Sequence, residues 1–171
     1  MSVHALLFQE QENGLYKGVY LHYDGEINHV GQILIHAYPT HHAFQPIIER
    51  ACPLASLGLT NQMIPHNSKD VRTMTLIKKD GIEWHKYTTL LSLEREYYLA
   101  TSLNNLKEGQ YYQFDHDGHM EGYTLPTGEF LPYVVNQSCQ IVYVQARNGR
   151  WYVGDVDPNG QIEKWVRICK K

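Results

Sequence analysis

Three histidines, His22, His29 and His36, flank the Asp24-Gly25 turn in GVYLHYDGEINHVGQILIHAY, residues 18–38. An extended run gives way to a helical one here. The backbone N–H groups exposed where a helix begins favour an anion. A phosphate or carboxylate could therefore sit there, with His22 as acid or base and Asp24 and His29 as its polar surroundings. The same residues carry a structural reading, in which Asp24 caps the helix, Gly25 makes the turn and His22 bonds a neighbouring backbone group. On that reading Asp24 matters for folding before it matters for activity.

Other candidates are weaker. His29 and His36 could share a helix face and approach His41 or His42, but no HExxH or other compact ligand spacing accompanies them, and no metal is expected. Asp115, His116, Asp117 and His119 in FDHDGHMEG lack the further oxygens of a calcium loop and read as an exposed turn. Cys52, ahead of Pro53, has no assignable His or Asn partner for a nucleophilic role. There is no Gly-rich phosphate loop, GxSxG or dinucleotide fingerprint, so no cofactor is expected and an enzyme activity stays open without a signature.

The elements that must position these residues are legible from periodicity. HALLF and KGVYLHY flank a turn around Asn13-Gly14 and predict an opening hairpin. Val30, Ile33, Leu34 and Ala37 recur at helical spacing, and Pro39 stops that helix. Phe44, Ile47, Ile48, Ala51 and Leu54 predict a second helix with Thr40 as N-cap, although Pro46 shifts its expected start towards Ala43. LGLTNQMIPHNSKD reads as a long loop. A hairpin is expected around Lys79-Asp80-Gly81, a short helix opened by Ser92 over SLEREYYLATSL, and a two-residue hairpin turn at Asn148-Gly149. The expected fold is α+β: an antiparallel sheet of several hairpins with about two first-half helices on one face, in a single domain spanning the chain.

Composition bounds the function classes. The chain has 171 residues, 43% apolar and 19% charged, which is enough for a packed core without metal or disulfide. Its formal charge of −3 supplies no basic field, so a nucleic-acid partner is disfavoured. The three cysteines are far apart and predict reduced thiols in a cytoplasmic compartment. The first residues lack the basic leader of a secretory signal, and no apolar run approaches the roughly 20 residues of a membrane span.

Three segments in order carry a resemblance. YLHYDGEINHVG (residues 20–31), ACPLASLG (51–58) and CQIVYVQARNGRWYV (139–153) resemble HWDGxPxxVG-like, LGDLSSLG-like and GxWYV motifs of a family of small uncharacterised bacterial and phage proteins. The resemblance implies a bacterial, viral or mobile-element origin and no particular activity. Tyr23 stands where the family has Trp, Leu21 where it often has Cys, and Ile27 where it has Pro, a residue suited to the first helical position. The stretch 103–137 is longer than the family pattern and predicts an added hairpin.

The second half is rich in tyrosine, with pairs at Tyr97-Tyr98 and Tyr111-Tyr112 and a Trp151-Tyr152 pair. Adjacent strand residues face opposite sides, so one ring of each pair can enter the core while the other meets solvent or a partner. Tyr111 and Tyr112 are accordingly binding candidates beside His22, Asp24 and His29. The leading expectation is a protein that acts by binding a host macromolecule, most simply a protein. The alternative is a small enzyme or ligand-binding domain for a phosphorylated or nucleotide-like molecule at the strand-helix junction.

Overall fold

The computed structural model describes residues 3–65, 76–79, 82–114, 120–121, 133–134 and 139–169. The opening hairpin is present: β1 (His4–Glu10) and β2 (Tyr16–Leu21) pair antiparallel, with Ala5 opposite Leu21 and Glu10 opposite Tyr16. A π-turn, Ile27–Gly31, then runs directly into α1 (Gln32–Ala37), and α2 (His41–Arg50) follows. The predicted stripe is correct, with Val30, Ile33 and Leu34 buried and Ala37 packed against them. Thr40 caps α2, its Oγ accepting from the Ala43 N–H at 3.1 Å. The helix therefore starts at His41 with Pro46 inside it, not near Ala43. The cap and the burial of Phe44, Ile47 and Ile48 outweigh the one backbone bond that Pro46 cannot make.

Several expectations fail beyond α2. The supposed long loop contains β4 (Thr60–Pro65), which follows β3 (Leu54–Ser56), while residues 66–70 lie outside the described residues. Next come β5 (Leu76–Lys79), β6 (Ile82–His85) and β7 (Tyr87–Leu90), and β4 pairs in parallel with β7. The β5–β6 hairpin is as expected, Lys79 opposite Ile82, although Asp80 and Gly81 of its turn lie outside the described residues. Ser92 opens no helix. Its Oγ accepts from the Glu94 N–H in a turn, and β8 (Tyr97–Ala100) follows with alternating burial. Adjacent tyrosines suit a pleated strand better than a helix, where their χ1 freedom is lost against the preceding turn. The helix comes later, as α3 (Leu103–Lys107) capped by Ser102.

The remaining strands are β9 (Gln110–Phe114), β10 (Met120–Glu121), β11 (Tyr133–Val134), β12 (Cys139–Gln145), β13 (Trp151–Asp155) and β14 (Val166–Arg167). Most of the sequence-predicted insertion lies outside the described residues. The fold is α+β and the described sheet runs β10-β9-β8-β2-β1-β12-β13-β14, with β3, β4, β7 and β11 off this path. It is mixed because β1 pairs with β12 in parallel, Leu6 opposite Val142 and Gln9 opposite Gln145. The N-terminal hairpin is thus the centre of the sheet.

The sequence HALLF explains why. A strand covered on both faces is apolar continuously, and β1 alternates between two cores. Ala5 and Leu7 join Val19, Leu21, Tyr143 and the helical residues Ile33, Leu34, Phe44 and Ile47 on one face. Leu6 and Phe8 join Val142, Val144, Tyr98, Leu106 and Tyr111 on the other. Gly18 is required between them: a Cβ there would come within 2.6 Å of Phe8 Cδ1, because the Phe8 ring lies across that position. The Asn148-Gly149 turn is a three-residue loop with a glycine bulge, not the expected two-residue turn. Ala146 N–H bonds Arg150 O and Gly149 N–H bonds Ala146 O, with φ of 92° at Gly149. The same pattern recurs at Gln11–Leu15 around Asn13-Gly14.

Candidate functional site

At the strand-helix junction His22 stacks on His4 while His29 lies against Trp84. His22 follows β2 immediately and its N–H donates to Leu54 O at 2.9 Å. Its half-buried ring stacks on His4 at 4.7 Å between centroids and shares a 2.7 Å hydrogen bond, through Nδ1, with the Tyr20 hydroxyl. His4 Nδ1 in turn lies 2.6 Å from His22 O. Burial, reinforced by the Cys139 thiol, Glu96 and Tyr23, pushes the Tyr20 hydroxyl up to about 12, so it keeps its proton. His22 thus serves in a ring cluster at the end of the hairpin, with its Nδ1 on the Tyr20 hydroxyl and its main-chain N–H on Leu54 O.

Asp24 is not a helix cap. The N-cap position belongs to Glu26, which makes no side-chain capping bond, and Asp24 occupies left-handed backbone space with φ of 60°. Aspartate is among the few residues that tolerate this conformation. It turns the chain so that Gly25 N–H donates to Val3 O at 2.9 Å and Gly25 O accepts from the Tyr143 hydroxyl at 2.7 Å.

His29 belongs with residues of β6. Its ring lies 5.4 Å from that of Trp84, and its charge disfavours protonation of His85. Burial pushes His85 down foremost, His29 adds to that, and Asp24 opposes it. His85 Nδ1 is buried without a hydrogen-bond partner among the described residues. His85, a residue that sequence spacing does not select, thus feels the charges of both His29 and Asp24, while the ring contacts of His22 include those with His4, Tyr20 and Tyr23.

No group of three or more His, Cys, Asp or Glu side chains among the described residues is placed to hold a metal ion. His41 is used structurally, its Nε2 2.7 Å from Glu10 O. The Asp115–His119 group lies outside the described residues. Cys52 is buried, bonds the Arg50 and Leu93 carbonyls through Sγ at 3.4 and 3.7 Å, and has its thiol pushed up by burial, the opposite of nucleophile activation.

The aromatic pairs divide as the strand alternation requires. β8 and β9 pair with Tyr97 opposite Phe114, Tyr98 opposite Gln113 and Leu99 opposite Tyr112. Tyr98 and Tyr111 enter the second core, where Tyr111 meets both Phe8 and Tyr98 edge-on at 5.6 Å. Tyr111, expected as a contact residue, is 4% exposed and so belongs to the interior. Tyr112 lies on the other, half-buried face with Tyr97, Leu99 and Phe114.

That face carries a built feature. The Tyr97 and Phe114 rings stack at 5.0 Å, 6° from parallel. Lys17 Nζ lies 4.7 Å and Arg95 Cζ 5.3 Å from the Tyr97 ring centre. Burial and the neighbouring Arg95 lower the Lys17 pKa, against the pull of Glu49. Two cations over one aromatic plate attract carboxylates while the rings offer flat contact area. The sequence showed the tyrosine pair, and Arg95 stands two residues before Tyr97; Lys17 comes to it only through the β2–β8 pairing, in which it lies opposite Leu99.

No protein-family model, curated protein or solved structure matches this chain. No helix among the described residues is long and apolar enough to cross a membrane.

Proposed function

We propose that this chain acts by binding another macromolecule, an acidic surface of a protein, through the Tyr97–Phe114 plate and its two cations. The observation that carries this reading is the stack itself: flat rings held in place by a neighbouring strand, with Lys17 and Arg95 gathered on them. Rings already ordered lose little rotamer freedom on binding, which is why aromatic and arginine side chains dominate interface energetics. The burial of Cys52, which pushes its thiol up, lends further support. The resemblance to small bacterial and phage proteins favours the narrower reading of a phage- or mobile-element-type modulator or inhibitor of a host process in the cytoplasm. Affinity purification from its host cells followed by mass spectrometry tests it. Reproducible capture of one acidic protein is expected; repeated recovery of none, with the bait intact and abundant, contradicts it.

A second reading, a small enzyme or ligand-binding domain for a phosphorylated or nucleotide-like molecule at the junction, draws on His85, whose buried Nδ1 has no hydrogen-bond partner among the described residues. A thermal-shift screen over nucleotides separates the two, since a ligand at a hundred times its Kd stabilises by about 2.7 kcal/mol.

A further inference from the structure

The opposite end of the sheet has the opposite character. β14 ends the described strand order, and a cleft of about 410 Å³ lies between it, the stretch after β13 and the first residue of the π-turn. Its apolar floor includes Ile27, Val153 and Val166. Ile27 and Val166 are 41% and 48% exposed, so two of the large apolar side chains left in solvent converge on one place. Exposed apolar surface that gathers in a concavity, rather than scattering, marks a contact site.

The rim supplies the charge. Asp155 and Glu163 are exposed carboxylates, Asp157 adds a third, and Lys164 is the one cation in the lining among the described residues. Asp157 has its Oδ1 held by the N–H groups of Asn159 and Gln161, which fixes that carboxylate in its turn, while Asp155 and Glu163 are exposed on the rim. Glu26, beside Ile27, bears on the Tyr143 hydroxyl together with Asp155, which puts a further carboxylate on this side of the molecule.

We propose that this cleft is a second docking site, for a basic amphipathic segment of a protein partner. The occupant follows from the pairing of floor and rim. A lysine or arginine side chain lays its aliphatic stem on Ile27, Val153 and Val166 and delivers its charged head to Asp155 and Glu163. A small hydrated cation would gain nothing from an apolar floor, and a nucleic acid would be repelled by the rim. The site is distinct from the Tyr97–Phe114 plate, lies at the other end of the sheet path, and stands whether or not the plate binds anything.

The test uses the full-length chain, isotope-labelled, titrated with a short synthetic peptide alternating arginine and leucine and, separately, with its glutamate-leucine counterpart. Amide shifts of Ile27, Val153 and Val166 are followed. The arginine peptide is expected to shift these amides with an affinity that falls as salt rises. The double variant Asp155→Asn/Glu163→Gln should bind about tenfold more weakly, about 1.4 kcal/mol, with an unchanged melting temperature because both carboxylates are exposed. Val166→Ser keeps the rim and removes part of the floor, and should weaken binding on its own. Unchanged affinity in the double variant, equal binding of the glutamate peptide, or shifts confined to other surfaces would each overturn the proposal.

Discussion

Gln9 donates through Nε2 to Gln145 Oε1 at 2.9 Å, and both side chains are completely buried at the parallel contact of β1 and β12. Gln9 Nε2 also reaches His41 O at 2.9 Å, and Gln145 Nε2 reaches Tyr38 O at 3.1 Å, the carbonyl that also accepts from Trp151 Nε1. The pair thus joins the centre of the sheet to the α1–α2 connection. A buried amide exchanged for an apolar side chain strands its partners in low dielectric. Gln145→Leu should therefore lower unfolding free energy by about 1–3 kcal/mol in urea melts, with the slope unchanged. A wild-type midpoint in that variant would show the network to be dispensable.

Asp24 gives a second prediction. Left-handed backbone costs an ordinary residue roughly 1–2 kcal/mol, a cost that Asn and Gly largely escape. Asp24→Asn and Asp24→Gly should match or exceed wild type in stability, whereas Asp24→Val should fall short by about 1–2 kcal/mol. Equal losses from Asn and Val would point to the carboxylate charge instead of the backbone.

The pH dependence of folding should report His85. Burial holds its folded-state pKa below the ordinary histidine value of 6.5, so between the two values the unfolded chain binds more protons than the folded one. Stability contributed by the neutral imidazole is then complete above about pH 6.5 and declines as pH falls through and below that value. His85→Gln should flatten the difference between urea midpoints at neutral and mildly acidic pH. If wild type and variant lose stability in parallel, His85 is not the group responsible.

How much of this was readable in the sequence depends on the range of the interaction. The opening hairpin, the Val30–Ile33–Leu34 stripe and the Thr40 cap are local patterns, and they hold. The parallel β1–β12 pairing joins residues such as Leu6 and Val142 from opposite ends of the chain, and nothing local encodes it. In the sequence Asp24 reads as a helix cap because a cap and a left-handed turn favour the same residue types. His85 and Lys17 went unselected because each joins its group only through a neighbouring strand or helix. Of the aromatic pairs, alternation told that the rings would divide between two faces; only the register told which ring of Tyr111-Tyr112 went inside.

The central claim, partner binding through the aromatic plate, is tested most directly by quantitative capture from host lysate. Wild type is compared with Tyr97→Ala and with Lys17→Glu/Arg95→Glu, each first matched to wild type by thermal melting. Recovery of a reproducible partner of wild type should fall by about tenfold or more with either variant, the scale of an interface hot spot. Capture of the same partner in undiminished amount by both folded variants would contradict it.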